Sequence, residues 1–366
     1  MESGATLRSR AIVTGSCGLV GSSATRKLLA LGWQVLGIDN DQRKRFFGES
    51  GSTASMAHSL AKDKQYLHYD VDIRHSVYLA DVFNRGAELI IHCAAQPSHD
   101  WATANIEEDF SINALATLHL LKLWEAYCPK APFIHVSTSK VYGDNPNRLP
   151  LVENDTRWDL PTYHELWHGI PETFSVDSCL HSFFGVSKLS GDLLAQEYGR
   201  HFDMPVGIFR PGCITGANHK GVELHGFLSY LMQCVASGKK YTVYGYKGKQ
   251  VRCNVHADDL VEAFLLFASR PKPGAVYNVG GRGLDCSMQE AIAACEQRCG
   301  RTALTEYKAL TEYREEPRSG DHQWWISDAR KLKTDYGWRP RRSLPDILDE
   351  LYEGAKGVQE RAARLE

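Results

Sequence analysis

Thr14-Gly15-Ser16-Cys17-Gly18-Leu19-Val20-Gly21 stands between the apolar run Ala11-Ile12-Val13 and a stretch of helical character from Ser22 to Leu31, and the fold is decided by how it is read. Glycines at 15, 18 and 21 permit a tight turn out of a strand, close approach of the backbone to a pyrophosphate, and close packing of helix on strand. The helix start that follows offers free N–H groups and a positive dipole end to phosphates. Gly15, Cys17, Gly18, Leu19 and Val20 are therefore the expected cradle of a dinucleotide. An acidic residue at the end of the next strand completes the pattern. Gln34-Val35-Leu36-Gly37-Ile38 reads as that strand, and Asp39 follows it, eighteen positions beyond Gly21. A carboxylate there accepts hydrogen bonds from the adenosine ribose hydroxyls and repels a 2′-phosphate, so NAD is expected over NADP, with Asn40 beside it. Arg43 is close enough in sequence to leave the NADP alternative open. Asp72 and Ile73 suit the adenine edge, and Ala94, Ala95 and Gln96 suit a cofactor lying against the backbone.

Working outward, strand-length apolar runs alternate with helix-length amphipathic stretches through the first 210 or so residues, the pattern of βαβ units and a parallel sheet covered on both faces. Leu89-Ile90-Ile91-His92, Phe133-Ile134-His135-Val136 and Val206-Gly207-Ile208-Phe209 are further expected strands. The fold class is α/β: a Rossmann-type doubly wound parallel sheet with a smaller C-terminal substrate-binding lobe. The expected division is 1–211 for the dinucleotide domain, with 251–270 returning to it, and 212–250 plus 271–366 for the second lobe. The stretch from Asn145 to Ser182 lacks periodicity and is long enough to suggest a lid over the site.

Composition excludes several classes. With 366 residues, 43% hydrophobic and 23% charged, the chain is neither disordered nor fibrous. A formal charge of −2 gives no electrostatic reason to expect nucleic acid or a membrane surface. No apolar stretch approaches a membrane span, and the N-terminus lacks a signal-peptide layout, so a cytoplasmic location is expected. The ten cysteines are scattered with no Cys-x-x-Cys pair, and neither disulfides nor a structural metal are expected.

Longer motifs carry a resemblance. Ala94-Ala95-Gln96-Pro97-Ser98-His99-Asp100-Trp101, Thr138-Ser139-Lys140-Val141-Tyr142-Gly143, His181-Ser182-Phe183-Phe184-Gly185-Val186-Ser187-Lys188, Gly248-Lys249-Gln250-Val251-Arg252 and Arg318-Ser319-Gly320-Asp321-His322, together with the glycine-rich turn, resemble the extended short-chain dehydrogenase/reductase family of NAD-dependent epimerases and dehydratases, and within it the CDP-paratose 2-epimerase (CDP-tyvelose 2-epimerase) group. The resemblance implies bound NAD, a nucleotide-diphosphate sugar as substrate with CDP favoured, a homodimer, and epimerisation at C2 of a dideoxyhexose through a transient keto-sugar. Another carbon or another nucleotide sugar, or a non-catalytic NAD-binding sensor, are the alternatives.

The same resemblance implies a triad of Ser or Thr, Tyr and Lys. Thr138 matches its first member and would bond the reacting hydroxyl; Lys188 matches the last and would bind the nicotinamide ribose. Phe184 occupies the tyrosine position, and a phenyl ring transfers no proton. Lys188 alone or through water, His99 or His181, or an inward swing of Tyr142 are the repairs the sequence leaves open, with His181 named as the candidate acid/base. Ser98 and His99 are expected at the sugar. Arg252 and Arg318 match positions that grip the diphosphate, a task suited to a permanently charged bidentate fork. Cys253 stands where the family more often has Asp.

Overall fold

The computed structural model describes residues 9–223, 225–300, 311–318 and 320–363. Seven parallel strands form the central sheet: β1 (Arg10–Thr14), β2 (Gln34–Ile38), β3 (Tyr66–Tyr69), β4 (Leu89–His92), β5 (Phe133–Val136), β6 (Val206–Pro211) and β7 (Ala275–Val279). Their spatial order is β7-β6-β5-β4-β1-β2-β3. The chain winds outward from β1 to β3 and then returns to place β4 on the other side of β1, in register Ala11 opposite both Val35 and Leu89. That reversal opens a crevice at the carboxyl ends of β1 and β4, where ligands of such sheets bind.

The strands read as continuous apolar runs because both faces are buried. Val13, Val35, Ile91 and Phe209 pack against α1 (Leu19–Ala30) through Ala24 and Leu28. Ile12, Leu36, Ile90 and Ile208 face the opposite way and pack against α2 (Ala116–Tyr127) through Leu120 and Trp124, and against α3 (Ser182–Phe202) through Ala195 and Tyr198. Alternate residues of one strand thus serve two cores, as the period of two requires. Trp124 is fully buried, and truncating it to alanine would cost about 3–5 kcal/mol.

The second lobe centres on the strand Val251–His256, which pairs with Asp285–Ser287, Trp324–Trp325 and Cys213–Thr215. A separate core of Leu228, Leu231, Met232, Ile292, Ile347 and Leu351 backs it. The expected return of 251–270 to the first lobe is split within the strand: Val251 and Cys253 pack with Trp324 and Trp325 of the second lobe, whereas Val255 and α4 (Ala257–Ser269), through Leu260, Val261, Phe264 and Phe267, pack in the core with α1. Ala275–Val279, expected with the second lobe, forms the outermost strand of the central sheet beside β6, with Tyr277 and Val279 buried in the first core.

The stretch from Asn145 to Ser182 is not a lid. Leu149, Leu151, Leu160, Leu166, Trp167, Ile170 and Phe174 pack with Trp324, Trp325 and Ile326. Backbone bonds between Ile170 and Ile326 and between Asp328 and Ile170 pin it there. Apolar side chains too irregularly spaced to signal an element still buried it. All ten cysteines are free, no helix among the described residues is long and apolar enough to cross a membrane, and no group of three or more metal-ligating side chains occurs among them.

Candidate active site

One cavity of about 430 Å³ runs from the glycine-rich turn, past the ends of β4 and β5, to the second lobe. At its first end Gly15 adopts φ +66°, and a Cβ there would come within 2.8 Å of the Ala94 nitrogen; a Cβ on Gly21 would lie 2.0 Å from the Gly15 oxygen. Those two glycines make the turn and the helix–strand contact possible. Gly18 differs, since a Cβ on it would meet only the Gly15 oxygen, at 3.3 Å. Its open side, with Leu19 and Val20, lines the cavity at the start of α1.

Asp39 is aimed by two backbone amides, accepting from Cys17 at 2.9 Å and from Asp41 at 3.0 Å. Cys17 therefore contributes its amide. Its thiol turns into the core within 3.6 Å of the Tyr66 hydroxyl, and burial pushes it up to about 11. Asn40, Asp72 and Ile73 line the same end. Arg43 also lines it, but its guanidinium donates to the Lys220 carbonyl at 3.1 Å and lies over the Phe47 ring, already engaged with protein.

Midway, Ala94 and Ala95 form the wall, whereas Gln96 lies beneath it, donating to Asp109 at 2.7 Å and receiving nothing from the cavity. Ser98 is likewise buried as the N-cap of the short helix His99–Ala104, its hydroxyl accepting from the Trp101 amide at 3.3 Å. Gln96 and Ser98, expected as ligand contacts, instead brace the loop that carries His99. That histidine does line the cavity. Burial pushes its imidazole down to about 3, and its Nδ1 is 3.0 Å from the Ser182 hydroxyl.

Thr138, just past β5, and Lys188, one turn after Phe184 on α3, both line the cavity. Lys188 donates to the Val136 carbonyl at 2.8 Å, and burial lowers its ammonium to about 8. Phe184 completes the trio, its ring 4.7 Å from that of His99. His181 is absent from the cavity wall. Because α3 starts only at Ser182, His181 sits at the cap and turns its Nε2 to the Val141 carbonyl at 3.0 Å, beside the Cys179 sulfur. It is not placed to serve as the acid/base. Tyr142 is also excluded: fully buried, it donates to Asn278 at 3.0 Å and accepts from Arg210 at 3.0 Å.

At the far end Arg252 pairs with Asp321 at 2.7 Å, and Arg318 lies over the Tyr244 ring and reaches Asp100 at 3.2 Å. Burial alone would raise the Asp321 carboxyl, but Arg252 and Lys140 hold it below the ordinary carboxylate range. Asp321 therefore gives Arg252 the support that Cys253 does not, since the Cys253 thiol is buried against the Gly281 amide at 3.1 Å. Asp321 and Lys140 are two of the wall residues that sequence reading did not single out. Both lie inside the quoted motifs, and a charged residue two positions from Thr138 and another three from Arg318 were the available signals.

Residues 12–351 match the profile of the GDP-mannose 4,6 dehydratase family. The chain is 25% identical over 357 residues to CDP-paratose 2-epimerase of Salmonella typhi, covering 95% of this chain and 99% of that one. It is 27% identical over 360 residues to UDP-glucose 4-epimerase of Caenorhabditis elegans, covering 93% and 96%. Among solved structures, UDP-glucuronic acid 4-epimerase from Bacillus cereus in complex with UDP-glucuronic acid and NAD superposes with a TM-score of 0.75 at 23% identity, covering 95% of this chain and 99% of that one. The chain belongs to the GDP-mannose 4,6 dehydratase family, the NAD-dependent epimerases and dehydratases of the extended short-chain dehydrogenase/reductase type.

Proposed function

We propose that this protein is an NAD-dependent nucleotide-sugar epimerase that inverts C2 of a CDP-linked dideoxyhexose through a transient keto-sugar. The observation that carries the reading is the continuity of the cavity: a dinucleotide cradle at one end, a pair of arginines at the other, and Thr138 with Lys188 between them. The choice of CDP and of C2 is supported by the end-to-end similarity to the Salmonella typhi enzyme.

The residues fit NAD. The open side of Gly18 and the first amides of α1 leave donors and space for a pyrophosphate, and Asp39 keeps acceptor capacity toward the cavity. When bound, NAD would supply a reversible hydride acceptor beside the sugar. Thr138 orients the reacting hydroxyl by hydrogen bonding. Lys188, ammonium or amine near neutral pH, holds the nicotinamide ribose and favours charge build-up on the neighbouring oxygen. Arg252 and Arg318 anchor the diphosphate, so that the sugar ring can turn over between hydride departure and return while the nucleotide stays fixed.

Purified protein incubated with C2-deuterated CDP-, UDP-, dTDP- and GDP-hexoses tests this. The expected result is an epimer formed from a CDP-sugar with deuterium retained at C2. A product lighter by one water, exchange of C2 deuterium with solvent, or conversion confined to other nucleotides refutes the reading.

A further inference from the structure

Phe184 leaves the reaction centre without a phenol, yet a second lysine stands on the same wall. Lys140 belongs to the short turn Ser139–Tyr142, and its main-chain amide donates to the Thr138 hydroxyl at 3.3 Å. Its carbonyl lies 3.1 Å from where a Cβ on Gly185 would be, next to Phe184. The side chain is only 17% exposed, and it lines the cavity. Its Nζ donates to the Gly320 carbonyl at 3.0 Å and to Asp321 at 3.3 Å. Gly320 in turn abuts His99, whose ring packs on Phe184. An ammonium has three N–H groups, so with two engaged one remains for an oxygen in the cavity.

We propose that Lys140 transfers the proton of the reacting sugar hydroxyl, the task a phenol at position 184 would otherwise perform. The proposal rests on the epimerase reading above. Two neighbours are less suited. His99 is pushed too far down to hold a proton near neutrality, and Lys188 is 5% exposed with its Nζ on the Val136 carbonyl. In the forward step the neutral amine of Lys140 takes the hydroxyl proton, the O–H electron pair becomes the second C–O bond, and the hydride leaves the carbon for the bound nicotinamide. In the return step the hydride adds to the opposite face, and the ammonium gives its proton to the carbonyl oxygen. Atoms and electrons balance over the cycle with no outside oxidant. Burial lowers the Lys140 ammonium, Asp321 opposes this, and Arg252 lowers it further; the Cys213 thiol also faces it. His99 and His322 stand within its field and are held neutral.

The test is steady-state turnover of the NAD-loaded protein with the sugar nucleotide that wild type converts, compared with Lys140→Met, Lys140→Arg and the double variant Lys140→Met with Phe184→Tyr. Both single variants are expected to lose roughly 10² to 10⁴ in kcat, with KM and NAD content within a few-fold of wild type. Arginine keeps the charge and can reach both anchors but does not give up its proton, so its failure separates proton transfer from charge. The double variant is expected to regain at least about tenfold over Lys140→Met, and to shift the acid limb of the kcat profile. Wild-type turnover by Lys140→Arg, a loss confined to KM, or no gain in the double variant overturns the assignment. A wild type that converts no nucleotide sugar removes the epimerase reading and this proposal with it, an outcome distinct from an active wild type with active Lys140 variants.

Discussion

Lys188 allows stability and chemistry to be set against each other in a single substitution. Burial lowers its ammonium from 10.5 to about 8, so the folded chain keeps a charge where little water solvates it. A folded-state value below the unfolded one is a penalty: it is present in full below pH 8, shrinks as the pH climbs toward 10.5, and vanishes above. A shift of this size amounts to about 3 kcal/mol against folding at pH 7. Lys188→Met keeps an unbranched stem and removes the charge, at the loss of the bond to the Val136 carbonyl, worth about 1 kcal/mol. Asp192, whose charge faces Lys188, still receives Arg210 through two bonds of 2.8 and 2.7 Å and is not left unpaired. The expected net effect on NAD-free protein at pH 7 is a gain of about 2 kcal/mol. Turnover should meanwhile fall, because the nicotinamide ribose loses its lysine contact. Urea unfolding of both proteins at pH 7 and pH 9.5 measures this, and the charge penalty should drop to less than half across that interval. A variant less stable than wild type at pH 7, or a difference that does not shrink with rising pH, refutes the account of Lys188 as a destabilising, functional charge.

The cofactor end predicts that Asp39→Asn narrows a preference for NAD over NADP, read from dissociation constants; an unchanged ratio would remove Asp39 from the ribose site. At the far end, Arg252→Ala and Arg318→Ala should each weaken nucleotide-sugar binding by about 1.5–3 kcal/mol while leaving NAD binding intact, as calorimetry can show. The effect should be larger for Arg252, whose loss leaves Asp321 with Lys140 as its remaining ion pair among the described residues. His181→Ala, outside the cavity, should leave kcat within about twofold of wild type, a change smaller than any loss expected from a proton-transfer group.

The amino-acid sequence alone determined the sheet and the dinucleotide cradle, because both are written in contiguous residues. Gly15 is fixed by its φ of +66° and Gly21 by its contact with the Gly15 oxygen, β2, β4 and β5 fall where their apolar runs predict, and Asp39 is placed simply by ending a strand. Thr138 and Lys188 could be named as candidates from contiguous motifs, Thr138 two residues past β5 and Lys188 about two turns into α3. Tertiary structure decided what depends on residues far apart in the chain. His181 had a plausible spacing from Phe184, but the start of α3 at Ser182 turned it away, and no local pattern encodes where a ring finds its acceptor. Gln96 and Ser98 looked like ligand contacts until partners at 109 and 101 claimed their polar atoms. Ala275–Val279 joined the central sheet because the outer edge of β6 was free to pair with it. The meeting of Lys140 with Asp321, 181 positions apart, is the clearest case, since a buried charge finds its counter-charge through the packing of two lobes and not through spacing along the chain.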